Sequence, residues 1–186
     1  MPKSKFFQTL LKYDEEISRK VVTRFKPIQK VLGFISLSGN SQPWIILSTV
    51  FFIFNDFLTR IQNLSQVIAV LLSASIVGIV KMIIKRERPN HLMVEEYIAK
   101  VDYYSFPSGH STRAIVFSII ITYYYPVFGW IFILWGLIIA FTRIALDLHY
   151  FFDVITGIIL GIFGGVLGIF VYQKLVIVLS DYSFFT

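Results

Sequence analysis

The stretch LSQVIAVLLSASIVGIVKMIIK, residues 64–85, decides the fold, since no ionisable side chain appears in it before Lys81. A run of about 20 apolar residues satisfies its backbone in hydrocarbon by forming a spanning helix. Four more stretches approach that length: Gln42 to Leu58, Ser111 to Tyr125, Phe128 to Leu146 and Asp153 to Tyr172. Turn signals part them, at Ser38-Gly39-Asn40-Ser41 with Pro43 beyond, in the polar 86–107 segment, and at Pro126 with Gly129. The expected fold is therefore all-α, a polytopic membrane helical bundle of about five transmembrane helices. Residues 1–41 differ in character. Phe6, Phe7, Leu10 and Leu11, then Ile17, Val21, Val22 and Phe25, recur at helical spacing with charges between them, and Pro27 interrupts the pattern. They read as a basic amphipathic interfacial segment ahead of a membrane domain at 42–186. A helix packed on a soluble partner is the alternative.

Composition agrees: 56% of the 186 residues are hydrophobic, mean hydropathy is +0.72, and only 15% are charged. With no cysteine, disulfides and thiolate metal sites are excluded. The +6 formal charge lacks a basic stripe interleaved with stacking aromatics, so membrane lipids are the expected partner and nucleic acid is not. No secretory signal is evident, because Lys3 and Lys5 precede only a short apolar patch. With five spans, all of the 17 Lys and Arg residues except Arg60 and Lys174 fall on or near one side. The positive-inside rule makes that side cytoplasmic.

Three polar clusters mark the edges of the apolar runs on that side. The first is Lys81 with Arg88-Pro89. Two helical turns of separation would put both cations on one face, with Pro89 ending the helix. Alone, these cations with Lys85 and Arg86 would read as snorkelling anchors. The second, Pro107-Ser108-Gly109-His110, carries helix-start signals. Free N–H groups there suit an anion, Gly109 lets backbone approach a ligand, and His110 could protonate a leaving oxygen. A plain capped helix with an incidental histidine is an equal reading. The third is Arg143, His149 and Asp153. On a helix Asp153 could accept a bond from one ring nitrogen of His149 and make the other a better nucleophile, with Arg143 adding a phosphate contact. A pair that merely stabilises a hairpin is the alternative, and the cost of ionisable groups near a bilayer weighs against it. His110, His149 and Asp153, with His91, could instead be metal ligands. The surrounding cations would repel a metal and attract phosphate, so no metal or cofactor is expected.

In order and spacing these clusters, residues 81–153, resemble the signature of the type 2 phosphatidic acid phosphatase superfamily, with Thr142 standing where that signature has serine. Members usually have one more span than expected here, and the basic segment stands in its place. The resemblance implies a phosphohistidine mechanism in which His149 is the nucleophile, Asp153 orients it and His110 is the general acid. Lys81, Arg88, Ser108, Gly109 and Arg143 would bind the phosphate. The stretches Arg86 to Pro89 and Lys100 to Ala114 look most like the polyisoprenoid (presqualene) diphosphate phosphatase branch, where Arg113 could hold a second phosphate or serve as an anchor. The implied activity is metal-independent hydrolysis of a lipid phosphate, with isoprenoid (di)phosphates as expected substrates. Phosphatidic acid, phosphatidylglycerol phosphate and lipid A phosphatases are the alternatives. An inactive membrane scaffold is the alternative of another class, and transfer of the phosphoryl group to an acceptor other than water stays open.

Overall fold

The computed structural model describes residues 5–40, 46, 49–50, 53, 57–89 and 103–183. Every regular element among them is helical: α1 (Lys5–Phe25), α2 (Gln29–Leu37), α3 (Phe57–Ile84), α4 (Gly109–Tyr124), α5 (Pro126–Ala145) and α6 (Phe151–Ser183). A short 3₁₀ turn, Lys26–Ile28, joins α1 to α2 where Pro27 interrupts the pattern.

Three of these helices are long and apolar enough to cross a membrane, over Leu58–Ile84, Pro126–Ala145 and Phe151–Val178. Their outward side chains, such as Leu71, Ile83, Trp130 and Phe163, are exposed apolar groups, as hydrocarbon contact requires. The expected span from Gln42 to Leu58 lies almost wholly outside the described residues. Leu58 belongs to α3, which begins seven residues earlier than the expected Leu64. The expected span at Ser111 to Tyr125 becomes α4, at 16 residues the shortest of the bundle helices and the most enclosed. Val116 and Ile120 are fully buried, and Ile115 and Phe117 nearly so.

Helix α4 sits at the centre because α6 approaches it without side chains in between. A methyl on Gly161 would stand 2.7 Å from the Thr112 carbonyl oxygen and 2.7 Å from Ile115 Cβ. Small residues allow this approach in membrane bundles, where packing replaces the hydrophobic effect as the source of association. Ala69 of α3 joins Val116 and Ile120 in one core cluster, with Ile169 of α6 against it. On the other flank, Ser118 Oγ lies 2.7 Å from the Phe132 carbonyl and ties α4 to α5.

The basic segment packs against the bundle. Its buried stripe runs through Asp14 and Ser18, while Ile17, expected on the apolar face, is turned outward. The cause is the start of α6. Phe152 N–H donates to Asp14 Oδ1 at 2.8 Å, and Phe151 N–H donates to Ser18 Oγ at 2.9 Å. First-turn amides of a helix have no partner within it, so here a neighbouring helix supplies them. Helix α2 then crosses α5, placing Ser36 to Asn40 over the same end of the bundle.

Candidate active site

The polar clusters meet where α3 and α5 end and α4 and α6 begin. Helix α3 stops at Ile84, and Lys85 turns the chain with a left-handed φ of 50°. Lys81 therefore lies in the last helical turn and Arg88 in the irregular segment after it, so the expectation that both share one helix face is corrected. The chain breaks before Pro89 because residues 85–88 bend back to pair with Ser105, whose N–H donates to the Arg86 carbonyl at 2.8 Å. Lys81 Nζ donates to the neighbouring Tyr104 carbonyl.

Ser108 is the N-cap of α4, as its sequence suggested, and its Oγ accepts from Ser111 N–H and Oγ–H. Its own N–H donates to the Asp153 carbonyl at 3.0 Å, which locks the start of α4 to the start of α6. His149 lies in the turn between α5 and α6, with its N–H held by the Arg143 carbonyl at 3.1 Å. Its ring lies between an obligate acceptor and an obligate donor. Nδ1 is 2.8 Å from the Ser105 carbonyl, and Nε2 is 3.2 Å from Arg88 Nη1. A carbonyl can only accept and a guanidinium can only donate, so Nδ1 carries the proton and Nε2 the lone pair. Nε2 thus faces the cation that would hold a phosphate.

Asp153 departs from the expected arrangement. The Nδ1 bond belongs to Ser105, and Asp153 Oδ2 lies 3.7 Å from that nitrogen. The physical reason is that α6 starts at Phe151, so His149 and Asp153 do not share a helical turn. The carboxylate instead caps Tyr150 N–H at 2.9 Å and accepts from Arg86 Nη1 at 2.7 Å. It stays close enough to act on the ring through its charge.

Arg88 also donates to the Leu148 carbonyl at 2.9 Å, and Arg143 Nη1 to Ser36 Oγ at 2.7 Å. Lys81, Arg88 and Arg143 are only 7%, 3% and 5% exposed, which makes them poor surface anchors. His110, ahead of the apolar stretch of α4, points Nε2 at Asn40 Oδ1, 2.9 Å away, and Nδ1 at Arg113 Nη2, 3.4 Å away. Burial, then Arg143, Arg113, His149 and Arg88, hold its imidazole well below the usual range. Thr142, where the signature has serine, turns its hydroxyl back to the Ile139 carbonyl at 2.6 Å. Gly109 has room for a methyl, its nearest neighbour being Arg113 Nη1 at 3.4 Å, so crowding within the protein does not require glycine there. His91 lies outside the described residues. Among the described residues no three His, Asp or Glu side chains are grouped to hold a metal ion.

Two groups the sequence reading passed over complete the site. Arg86 reads from sequence as an anchor and Asp14 carries no signal of its own, yet they pair at 2.6 Å with Asp14 fully buried. No local signal marks them, because their partners are more than sixty residues away. Four further polar contacts, from Ser36, Asn40, Ser105 and Tyr104, were likewise not legible.

The PAP2 superfamily model matches residues 62–177, which takes in all three clusters. The chain belongs to the PAP2 superfamily. This PAP2 chain is 25% identical over 134 residues to an undecaprenyl-diphosphatase of Sulfolobus acidocaldarius, covering 70% of the chain and 64% of that relative. It is 27% identical over 180 residues to a lipid A 4'-phosphatase of Porphyromonas gingivalis, covering 88% and 75%. The match thus spans less than two thirds of the first relative's length. Among solved structures, Aquifex aeolicus LpxE aligns with a TM-score of 0.70 at 21% identity, over 83% of this chain and 93% of that one. A transmembrane PAP2-type phosphatidylglycerolphosphate phosphatase of Bacillus subtilis aligns at 0.72 and 23%, over 89% and 87%. The fold is that of PAP2 membrane proteins, and the protein is an integral membrane protein.

Proposed function

We propose that this PAP2 protein is a metal-independent lipid phosphate phosphatase working through a phosphohistidine. The observation that carries the proposal is the His149 ring, whose protonated Nδ1 is fixed on Ser105 and whose lone pair at Nε2 faces Arg88. Nε2 attacks phosphorus, an N–P bond forms, and the bond from phosphorus to the lipid oxygen breaks. His110 gives that oxygen its proton. Water then attacks phosphorus, the N–P bond breaks, and His110 takes a proton from the water. Lys81, Arg88 and Arg143, with the Ser108 hydroxyl and Gly109 N–H, hold the equatorial oxygens as charge builds on them. Asp153 opposes the positive charge that develops on the imidazole. Burial is the main reason His110 is held below its ordinary pKa, with Arg143 and Arg88 adding to it; a phosphate dianion between those two cations would offset their part and favour the proton on His110.

Isoprenoid (di)phosphates are the proposed substrates. The resemblance of residues 86–89 and 100–114 to the polyisoprenoid branch and the similarity to an undecaprenyl-diphosphatase support this. Similarity to a lipid A 4'-phosphatase favours a second reading, a glycolipid or glycerolipid phosphate. Phosphate release from farnesyl diphosphate, phosphatidic acid and phosphatidylglycerol phosphate, with and without chelator, separates the two. Loss of activity on chelation, or undiminished activity of His149→Ala, rules out the mechanism. We also place the site on the cytoplasmic face, because the cations crowd that side. An impermeant thiol reagent should therefore fail to label a cysteine placed at Lys100 in intact cells, and labelling from outside would reverse the orientation.

A further inference from the structure

We infer that Arg86, clamped by Asp14 of α1, is a positioning residue for His149 and Asp153, which makes the N-terminal helix a working part of the active site. The inference rests on the phosphohistidine reading above. Arg86 reaches the nucleophile by two routes. Its side chain donates to Asp153 Oδ1 at 2.7 Å, and its carbonyl accepts from Ser105 N–H at 2.8 Å, the residue whose own carbonyl fixes His149 Nδ1. The guanidinium is set on three sides. Asp14 Oδ2 accepts from Nη2 at 2.6 Å, Asp153 accepts from Nη1, and the Tyr150 ring lies 3.9 Å beneath. Both carboxylates are fully buried.

The charges give this arrangement its purpose. One guanidinium between two carboxylates leaves net negative charge beside a ring that turns cationic when Nε2 bonds to phosphorus. With Asp14 neutral, Arg86 and Asp153 cancel, and that stabilisation falls. Each Asp14 oxygen holds one of these donors, Oδ1 the Phe152 N–H and Oδ2 Arg86. An asparagine there keeps the size but turns an NH₂ toward one of two donors.

The test compares Arg86→Lys, Arg86→Gln, Asp14→Asn and His149→Ala with wild type in detergent, using farnesyl diphosphate and phosphatidic acid as probes. Elution profile relative to wild type and melting temperature establish which variants are folded. Groups that orient a metal's ligands typically contribute roughly 10–100-fold, and the same range is expected for a group that orients a nucleophile. Arg86→Gln is expected to lose about 100-fold and Asp14→Asn about 10-fold in kcat, with KM within about twofold of wild type. Arg86→Lys should recover part of the loss, since it restores the charge without the fork. The inference fails if folded Asp14→Asn and Arg86→Gln keep wild-type kcat while His149→Ala is dead. It also fails if KM rises with kcat unchanged, since Arg86 would then touch substrate. Undiminished activity of His149→Ala would instead sink the phosphohistidine reading.

Discussion

Gly157→Ala tests whether the meeting of α4 and α6 sets the catalytic geometry. A methyl at Gly157 would stand 2.6 Å from the Ser108 carbonyl oxygen and 3.1 Å from Ser111 Cβ. An ordinary contact starts near 3.4 Å, so the backbone of Ser108 must retreat by about 0.8 Å. It cannot move alone, because that carbonyl accepts from Thr112 N–H at 3.1 Å and from Thr112 Oγ1 at 3.0 Å. The whole first turn of α4, with Gly109 and His110, shifts with it. Overpacking of this kind costs about 1–3 kcal/mol of stability. A displacement of about 1 Å in a group that positions substrate costs on the order of 10²-fold in rate. We therefore expect a folded protein with kcat down about 100-fold in the phosphate-release assay. Gly78→Ala is the control, since nothing lies within 4 Å of a methyl there. It should leave activity unchanged and raise stability by about 0.5–1 kcal/mol. A folded Gly157→Ala with kcat within threefold of wild type would show that the cap of α4 does not position the phosphate.

Three more outcomes follow from single contacts. Arg113→Gln removes a cation that disfavours the proton on His110, so the imidazole keeps that proton to higher pH and the alkaline limb of kcat/KM moves upward; a limb that stays or moves down refutes it. Arg143→Lys keeps the charge but loses the fork that donates to Ser36 and is proposed to hold phosphate, and kcat/KM should drop about 10–100-fold, corresponding to about 1.5–3 kcal/mol for a charge-assisted bond. Ser118→Ala cuts the tie between α4 and α5 and should cost about 1 kcal/mol in thermal unfolding with kinetics unchanged, whereas altered kinetics would implicate that tie in the site.

The family and the apolar core of the bundle were legible because both are written locally. Residues 64–80 hold no ionisable side chain, and the order Lys81, Arg88, Ser108, His110, Arg143, His149 survives as spacing. What was not legible depends on where helices stop. Spacing of seven put Lys81 and Arg88 on one face, but the turn at Lys85 ends α3 first. Spacing of four put His149 against Asp153, but His149 precedes α6. Charge near a bilayer reads as anchoring by default, which hid Arg86, and an acidic residue on a basic amphipathic helix reads as solvated, which hid Asp14. Only the tertiary fold shows that Asp14 is fully buried and that Arg86 is turned inward to it.

The bond from Phe152 N–H to Asp14 joins residues 138 positions apart. Closing a loop of that length costs roughly 4 kcal/mol in chain entropy, and it cannot begin until both partners have been made. During synthesis the ribosome delivers Asp14 and Arg86 long before the turn that bears His149. A half-made chain thus carries Lys81 and Arg88 before Arg143 and His149 exist, and on the proposed mechanism the site is assembled only as the last hydrophobic segment docks.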